Sequence, residues 1–243
     1  MRVSVFVTCL VDQLFPRVGE GAVETLRRLG CEVAFNPAQT CCGQPAFNTG
    51  YRPEARAMAE HFVEVFERER ADFLVAPSGS CTAMVRNFYP ELFHAHGDER
   101  WRARLESVRS RLREFSEFIV RELGVEDVGA RFEGRVTYHD ACHLLRELKV
   151  SDEPRRLIRA VRGVEFVEME SPDACCGFGG TFSVKYAEIS DAILREKLTR
   201  IERSGAQYVV ANDSSCLMQI AGGLARAGSS VRTIHLAELL ASR

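Results

Sequence analysis

The sequence predicts an α/β fold made of two duplicated halves, each a parallel sheet covered by helices. Three observations carry that expectation. A cysteine pattern occurs twice: Cys9, Cys41-Cys42-Gly43 and Cys81 in the first copy, then Cys142, Cys175-Cys176-Gly177 and Cys216 in the second. The spacings agree, with 32 and 33 positions from the lone cysteine to the pair and 39 and 40 from the pair to the closing cysteine, an internal repeat of domain size. Short β-rich runs alternate with amphipathic stretches in both copies, the order that folds into parallel strands with crossover helices. Each cysteine position falls just past the carboxyl end of a predicted strand, where open α/β sheets form their ligand crevice.

The elements follow in order. Residues 3–8 form a β-rich run that ends at Cys9. A helix with Val23, Leu26 and Leu29 on one face stops at Gly30. Residues 32–35 read as a second strand, with Cys31 at its start as a core residue. A helix over 53–70 opens at Pro53, a third strand covers 73–76, and Ser78-Gly79-Ser80 delivers Cys81 to another helix. From 99 to 123, Trp101, Leu105, Val108, Leu112, Phe115 and Ile119 recur at steps of four and three, which predicts one amphipathic helix packed on its own half. The second half repeats the plan: a strand over 135–139, a helix over 153–162, a strand over 164–169, a helix over 184–203 and a strand over 208–211 before Cys216. The likeness extends beyond the thiols, for Phe73-Leu74-Val75-Ala76 and Tyr208-Val209-Val210-Ala211 superpose at constant offset. Two Rossmann-like halves are therefore expected, 1–130 and 131–243.

Composition narrows the function. With 243 residues, 46% hydrophobic and 27% charged, the chain can bury a core. A net charge of −2 gives no electrostatic case for nucleic acid or an anionic membrane as partner. No apolar run approaches the ~20 residues that span a bilayer, and the N-terminus lacks the long apolar segment of a signal peptide. The expectation is a cytoplasmic protein, where cysteines serve as metal ligands or redox groups before they serve as staples.

Eight recurring thiols in two quartets predict two thiolate metal sites. Thiolates suit iron–sulfur clusters, zinc or copper(I). Helix N-termini after Cys81, Cys142 and Cys216 favour the thiolate, and Gly43, Gly177, Gly179 and Gly180 allow backbone N–H groups to approach an anionic cluster. Neither the paired C-x-x-C of structural zinc sites nor the ferredoxin C-x-x-C-x-x-C run is present. His139, Asp140 and His143 flank Cys142 as candidate ligands or proton relays, with His139 read as an ordinary hydrogen-bonded histidine. His235 is expected to cap or pack against the C-terminal segment, and Lys185 to be solvated. Gly177-Phe178-Gly179-Gly180 lacks the spacing of a dinucleotide loop, so no flavin or nicotinamide site is expected and no catalytic residue is assigned.

The repeated arrangement of Cys, Cys-Cys-Gly and Cys resembles the CCG cysteine-rich domain of iron–sulfur oxidoreductases, a family that includes a heterodisulfide reductase subunit and the glycolate oxidase iron–sulfur subunit. The longer stretches Thr40 to Tyr51, Ser78 to Cys81, Cys175 to Lys185 and His235 to Glu238 resemble the lactate-utilization branch of that family. The resemblance covers essentially the whole chain. It implies a cytosolic subunit that handles electrons in a multi-protein complex oxidising L-lactate to pyruvate, alongside other subunits that include a ferredoxin-type iron–sulfur protein. It also implies up to two clusters of the [4Fe–4S] kind. A heterodisulfide-reductase-like thiol or disulfide redox subunit and a zinc-stabilised scaffold are the alternatives. In the heterodisulfide reductase relatives a further cysteine precedes the closing one in a C-x-x-C pair; here Ser78 and Asp213 hold that position. Each quartet then keeps four thiols, with Ser78 and Asp213 as candidate auxiliary ligands, and a cubane cluster, an oxygen-ligated variant and zinc are all compatible with the set.

Overall fold

A computed structural model describes residues 1–94 and 99–243. It contains two four-stranded sheets. In the first, β1 (Arg2–Val5), β2 (Glu32–Ala34), β3 (Phe73–Ala76) and β4 (Leu112–Glu114) lie in the order β2-β1-β3-β4. In the second, β5 (Arg131–Tyr138), β6 (Arg162–Phe166), β7 (Tyr208–Ala211) and β8 (Arg232–His235) lie in the order β6-β5-β7-β8. Every pairing is parallel, and the equivalent registers are Val3 with Phe73 and Val136 with Tyr208. The predicted α/β duplication is thus the observed architecture.

Alternation along the strands sends successive side chains to opposite faces. Val3, Val5 and Val75 of the first sheet share one apolar core with Val136, Tyr138 and Val210 of the second. Leu74 and Ala76 face an outer layer built by helices 52–66, 79–83 and 99–109. Val209 packs into the corresponding outer layer formed by helices 187–203 and 214–226.

The two halves exchange helices. The helix Leu236–Ala241, which follows β8, packs on Pro16–Arg28 of the first half, and Phe115–Glu117, which follows β4, packs on Asp152–Ala160 of the second. Gly21 permits the first of these contacts, since a Cβ there would stand 2.7 Å from the Ala237 carbonyl oxygen. Arg28 then donates to the carbonyls of Leu240 at 3.0 Å and Ala241 at 2.8 Å, satisfying the end of that helix. His235 caps its start, its Nδ1 accepting from Ala237 N at 3.1 Å.

The helix expected over 99–123 is corrected. The structure has Glu99–Arg109 as helix, then β4, then a short helix and a π-helical turn at Phe118–Glu122. Leu112, Phe115 and Ile119 are buried as the helical reading required. The open edge of β3, however, offers Leu112–Glu114 a parallel ladder, and that tertiary pairing prevails over a helical periodicity. Its counterpart β8 is also a strand that periodicity alone did not reveal. Cys31 is buried in the shared core, as expected.

Candidate metal and redox site

Each lone cysteine lies in the first turn of a helix: Cys9 and Cys142 begin Cys9–Leu14 and Cys142–Arg146, while Cys81 and Cys216 are third in Gly79–Ala83 and Ser214–Arg226. These helix starts meet across the molecule. The helix of Cys9 packs on that of Cys216, and the helix of Cys81 on that of Cys142. Close approach requires a bare backbone at Gly79, where a Cβ would fall 2.6 Å from Leu144 Cβ. All eight cysteines of the two quartets consequently line a single cavity of about 450 Å³. Sequence reasoning gave each quartet its own sheet rim and did not foresee that the rims face one another.

Within the first quartet, Cys9 Sγ lies 3.5 Å from Cys41 Sγ and Cys42 Sγ 3.3 Å from Cys81 Sγ. The backbone N–H of Gly43 donates to Cys41 Sγ at 3.4 Å, and in the second quartet that of Gly177 donates to Cys175 Sγ at 3.3 Å. The positive φ of Gly177, 87°, and a Cβ position 2.5 Å from the Ser190 carbonyl oxygen leave room for glycine alone. All nine cysteines are free thiols.

Such crowding separates the thiols electrostatically. The shared hydrogen bond with Cys41, then burial, push the Cys9 thiol far up. Hydrogen bonds from Cys42 and Cys9 pull Cys41 well below the ordinary thiol range. In the second quartet, burial and the neighbouring charges of Cys175 and Asp213 raise Cys142, while the hydrogen bond with Cys176, then burial, raise Cys175. Four thiols this close cannot all ionise unaided, because like charges at short range oppose each other. A bound cation or cluster reverses that cost. Soft donors in quartets, with N–H groups directed at sulfur, fit a thiophilic metal or an iron–sulfur cluster.

Ser78 and Asp213, equivalent positions of the repeat, bind one another across the cavity. Ser78 Oγ donates to Asp213 Oδ1 at 2.9 Å, and Ser80 donates to the same carboxylate through Oγ at 2.7 Å and N at 3.1 Å. Burial raises the Asp213 carboxyl, with the Ser80 and Ser78 donations opposing. Asp140 is held by Arg155, whose Nη2 lies 2.7 Å from its carboxylate. His143 lines the cavity, its Nδ1 3.6 Å from Cys142 Sγ. Lys185 is exposed. His139, expected to be an ordinary hydrogen-bonded histidine, is 1% exposed; its ring lies beside the Pro172 carbonyl, but neither ring nitrogen makes a well-aligned hydrogen bond among the described residues. A ring nitrogen of His139 and the Sγ atoms of Cys176 and Cys216 lie within 4.8 Å of one another. Lys197, fully buried behind this group, was not singled out from sequence, since its helix reads as amphipathic whether or not a lysine occupies the inner face.

Among the described residues, no helix is long and apolar enough to cross a membrane. The family model of the CCG cysteine-rich domain matches the chain twice, over residues 3–86 and 136–221. The chain is 47% identical to lactate utilization protein A of Geobacillus kaustophilus and 45% identical to that of Bacillus subtilis, each over 243 residues and the full length of both sequences. A crystal structure of a hypothetical protein from Helicobacter pylori superposes with a TM-score of 0.65 at 10% identity, covering 98% of this chain and 48% of that one. That likeness concerns the fold; this chain spans about half the length of the Helicobacter protein. Duplicated CCG sequences, full-length identity and the paired cysteine quartets lead to one statement: the chain belongs to the lactate utilization protein A family of CCG cysteine-rich-domain proteins.

Proposed function

We propose that this chain is the iron–sulfur electron-transfer subunit of a cytoplasmic multi-protein system that oxidises L-lactate to pyruvate. Cys9, Cys41, Cys42 and Cys81 hold one cluster in this reading, and Cys142, Cys175, Cys176 and Cys216 hold the other. The observation that carries it is the cavity onto which both quartets open. Oxidation of lactate to pyruvate releases two electrons and two protons. Bound iron–sulfur clusters supply one-electron transfer, so two of them side by side match the electron count.

The chain's own contribution is to position and tune. Gly43 and Gly177 direct N–H groups at Cys41 and Cys175, which stabilises the anionic ligand set. Ser78 and Asp213 are assigned to bracing the two helix starts, because their oxygens are already engaged with each other. No dinucleotide loop occurs in the sequence, so hydride chemistry on lactate falls to a partner subunit, with a further ferredoxin-type iron–sulfur protein on the electron route.

The shared cavity also favours a second reading, a thiol or disulfide redox subunit in which a sulfur substrate enters between the quartets. Reconstitution decides. Oxygen-free protein mixed with its partner subunits and L-lactate should bleach in the visible only when the partners are present. Bleaching by a thiol couple without them would support the second reading, and a colourless zinc protein would leave only a scaffold.

A further inference from the structure

The two quartets are built alike but backed differently. Phe6 N donates to the Val75 carbonyl and His139 N to the Val210 carbonyl, each at 2.9 Å, so Phe6 and His139 occupy the same place after equivalent strands. The constant offset that aligns Phe73 with Tyr208 also aligns Phe62 with Lys197. In the first half Phe6 and Phe62 pack edge to face, ring centres 4.9 Å apart, in an apolar layer that includes Cys42 and Cys81. In the second half the same two places hold His139 and Lys197, 1% and 0% exposed.

Exchanging two aromatic rings for two buried polar groups is costly unless each finds a partner. Lys197 finds several: Nζ donates to the carbonyls of Ser171 at 3.2 Å and Pro172 at 3.1 Å. The His139 ring lies beside the Pro172 carbonyl but makes no well-aligned bond among the described residues. The Pro172 carbonyl, the acceptor on its side, is already shared by Lys197 Nζ and Asp140 N. The ring does sit with Cys176 and Cys216 inside a 4.8 Å triangle. Ligands of a tetrahedral metal, bound at about 2.0–2.3 Å, lie roughly 3.5 Å apart, so a small closure suffices.

We propose that the second site is a mixed one in which His139 coordinates the metal through imidazole beside Cys176 and Cys216, whereas the first is ligated by sulfur alone. This rests on the metal-bearing reading above and adds that the sites differ chemically. With His139 taking the place of one of the four thiolates assigned to the second site above, and the Lys197 ammonium behind it, that site carries less negative charge and a higher potential than the first.

The test uses full-length chain purified without oxygen and labelled with ¹⁵N-histidine, as the parent, as C42S to suppress the first site, and as H139F. Phenylalanine occupies the equivalent position 6, so H139F restores a side chain that this place in the fold already holds once, and circular dichroism verifies that the variant is folded. A second variant, H139Q, controls for polarity. In C42S, hyperfine spectroscopy of the reduced iron should detect a directly bound nitrogen, absent from C42S carrying H139F or H139Q. Redox titration of H139F should lower the potential of the second site and leave the first unchanged. Iron and sulfide in full amount with no bound nitrogen would overturn His139 as a ligand and leave the iron–sulfur reading intact. Zinc in place of iron would end that reading, and a nitrogen shell at the zinc edge, lost in H139F, would still support His139; a sulfur-only shell would overturn it. Absence of any metal from the second half would overturn both.

Discussion

Cys42 and Cys176 are the vicinal residues that lie deepest in their quartets, and each has a closing cysteine as neighbour, Cys81 for one and Cys216 for the other. Serine at either position should remove about half of the bound metal and sulfide and spare the other half, because each cluster needs its own thiolates; elemental analysis with sulfide assay checks this. Cys31→Ala should leave metal content unchanged, since Cys31 packs in the central core away from the cavity. Asp213→Ala should cost about 1–3 kcal/mol of stability by stranding the buried Ser78 hydroxyl and the half-buried donors of Ser80, measured by urea unfolding. The eight thiols were legible because duplication fixes their spacing. His139 was not, because its meaning lies in what replaces it in the other copy and in its lacking a well-aligned hydrogen bond among the described residues, and only packing shows either.

Between residue and molecule, the segment after β4 joins the halves. Glu114 ends the strand and caps the following turn, and Asn212 Nδ2 donates to its Oε1 at 2.8 Å while Tyr138 donates to Asn212 Oδ1 at 3.0 Å. Burial lifts the Glu114 carboxyl to about 7, against about 4.3 in an unfolded chain. A carboxyl whose folded pKa is raised binds a proton on folding, so its contribution is full below about 4.3 and is lost as pH rises through 7. Stability should therefore decline by something on the order of 2 kcal/mol between pH 5 and 8, and E114Q should flatten that decline in urea titrations at each pH. An unchanged slope would place the buried charge elsewhere. This element was also where sequence reading failed. A four-and-three repeat from Trp101 to Ile119 fits a helix, and the break at β4 is dictated by the free edge of β3, a partner some forty residues earlier in the chain. Strands before the cysteines were easier, being short, β-branched and bounded by glycine or proline.

At the scale of the whole molecule, duplication is completed by exchange. The central core draws on both sheets, and the terminal helix 236–241 lies on helix 16–28 of the other half. Cutting the chain near residue 130 should leave two pieces that each expose part of this core. Urea unfolding of the intact chain should accordingly be one transition, the same by Trp101 fluorescence in the first half and by helical circular dichroism over both; separate midpoints would mean independent halves. The same exchange turns the cysteine-bearing helix starts toward one another and makes a single cavity from two sheet rims. The repeat announces two halves, but nothing in the spacing states their relative orientation.

In the proposed reading, two thiol quartets hold redox-active iron on either side of that cavity. Iron and acid-labile sulfide, counted per chain after purification without oxygen, test it most directly. Two four-iron clusters predict about eight of each in a brown protein, falling to about half in C42S and in C176S alike. A colourless chain with about one zinc per half and no sulfide would contradict it.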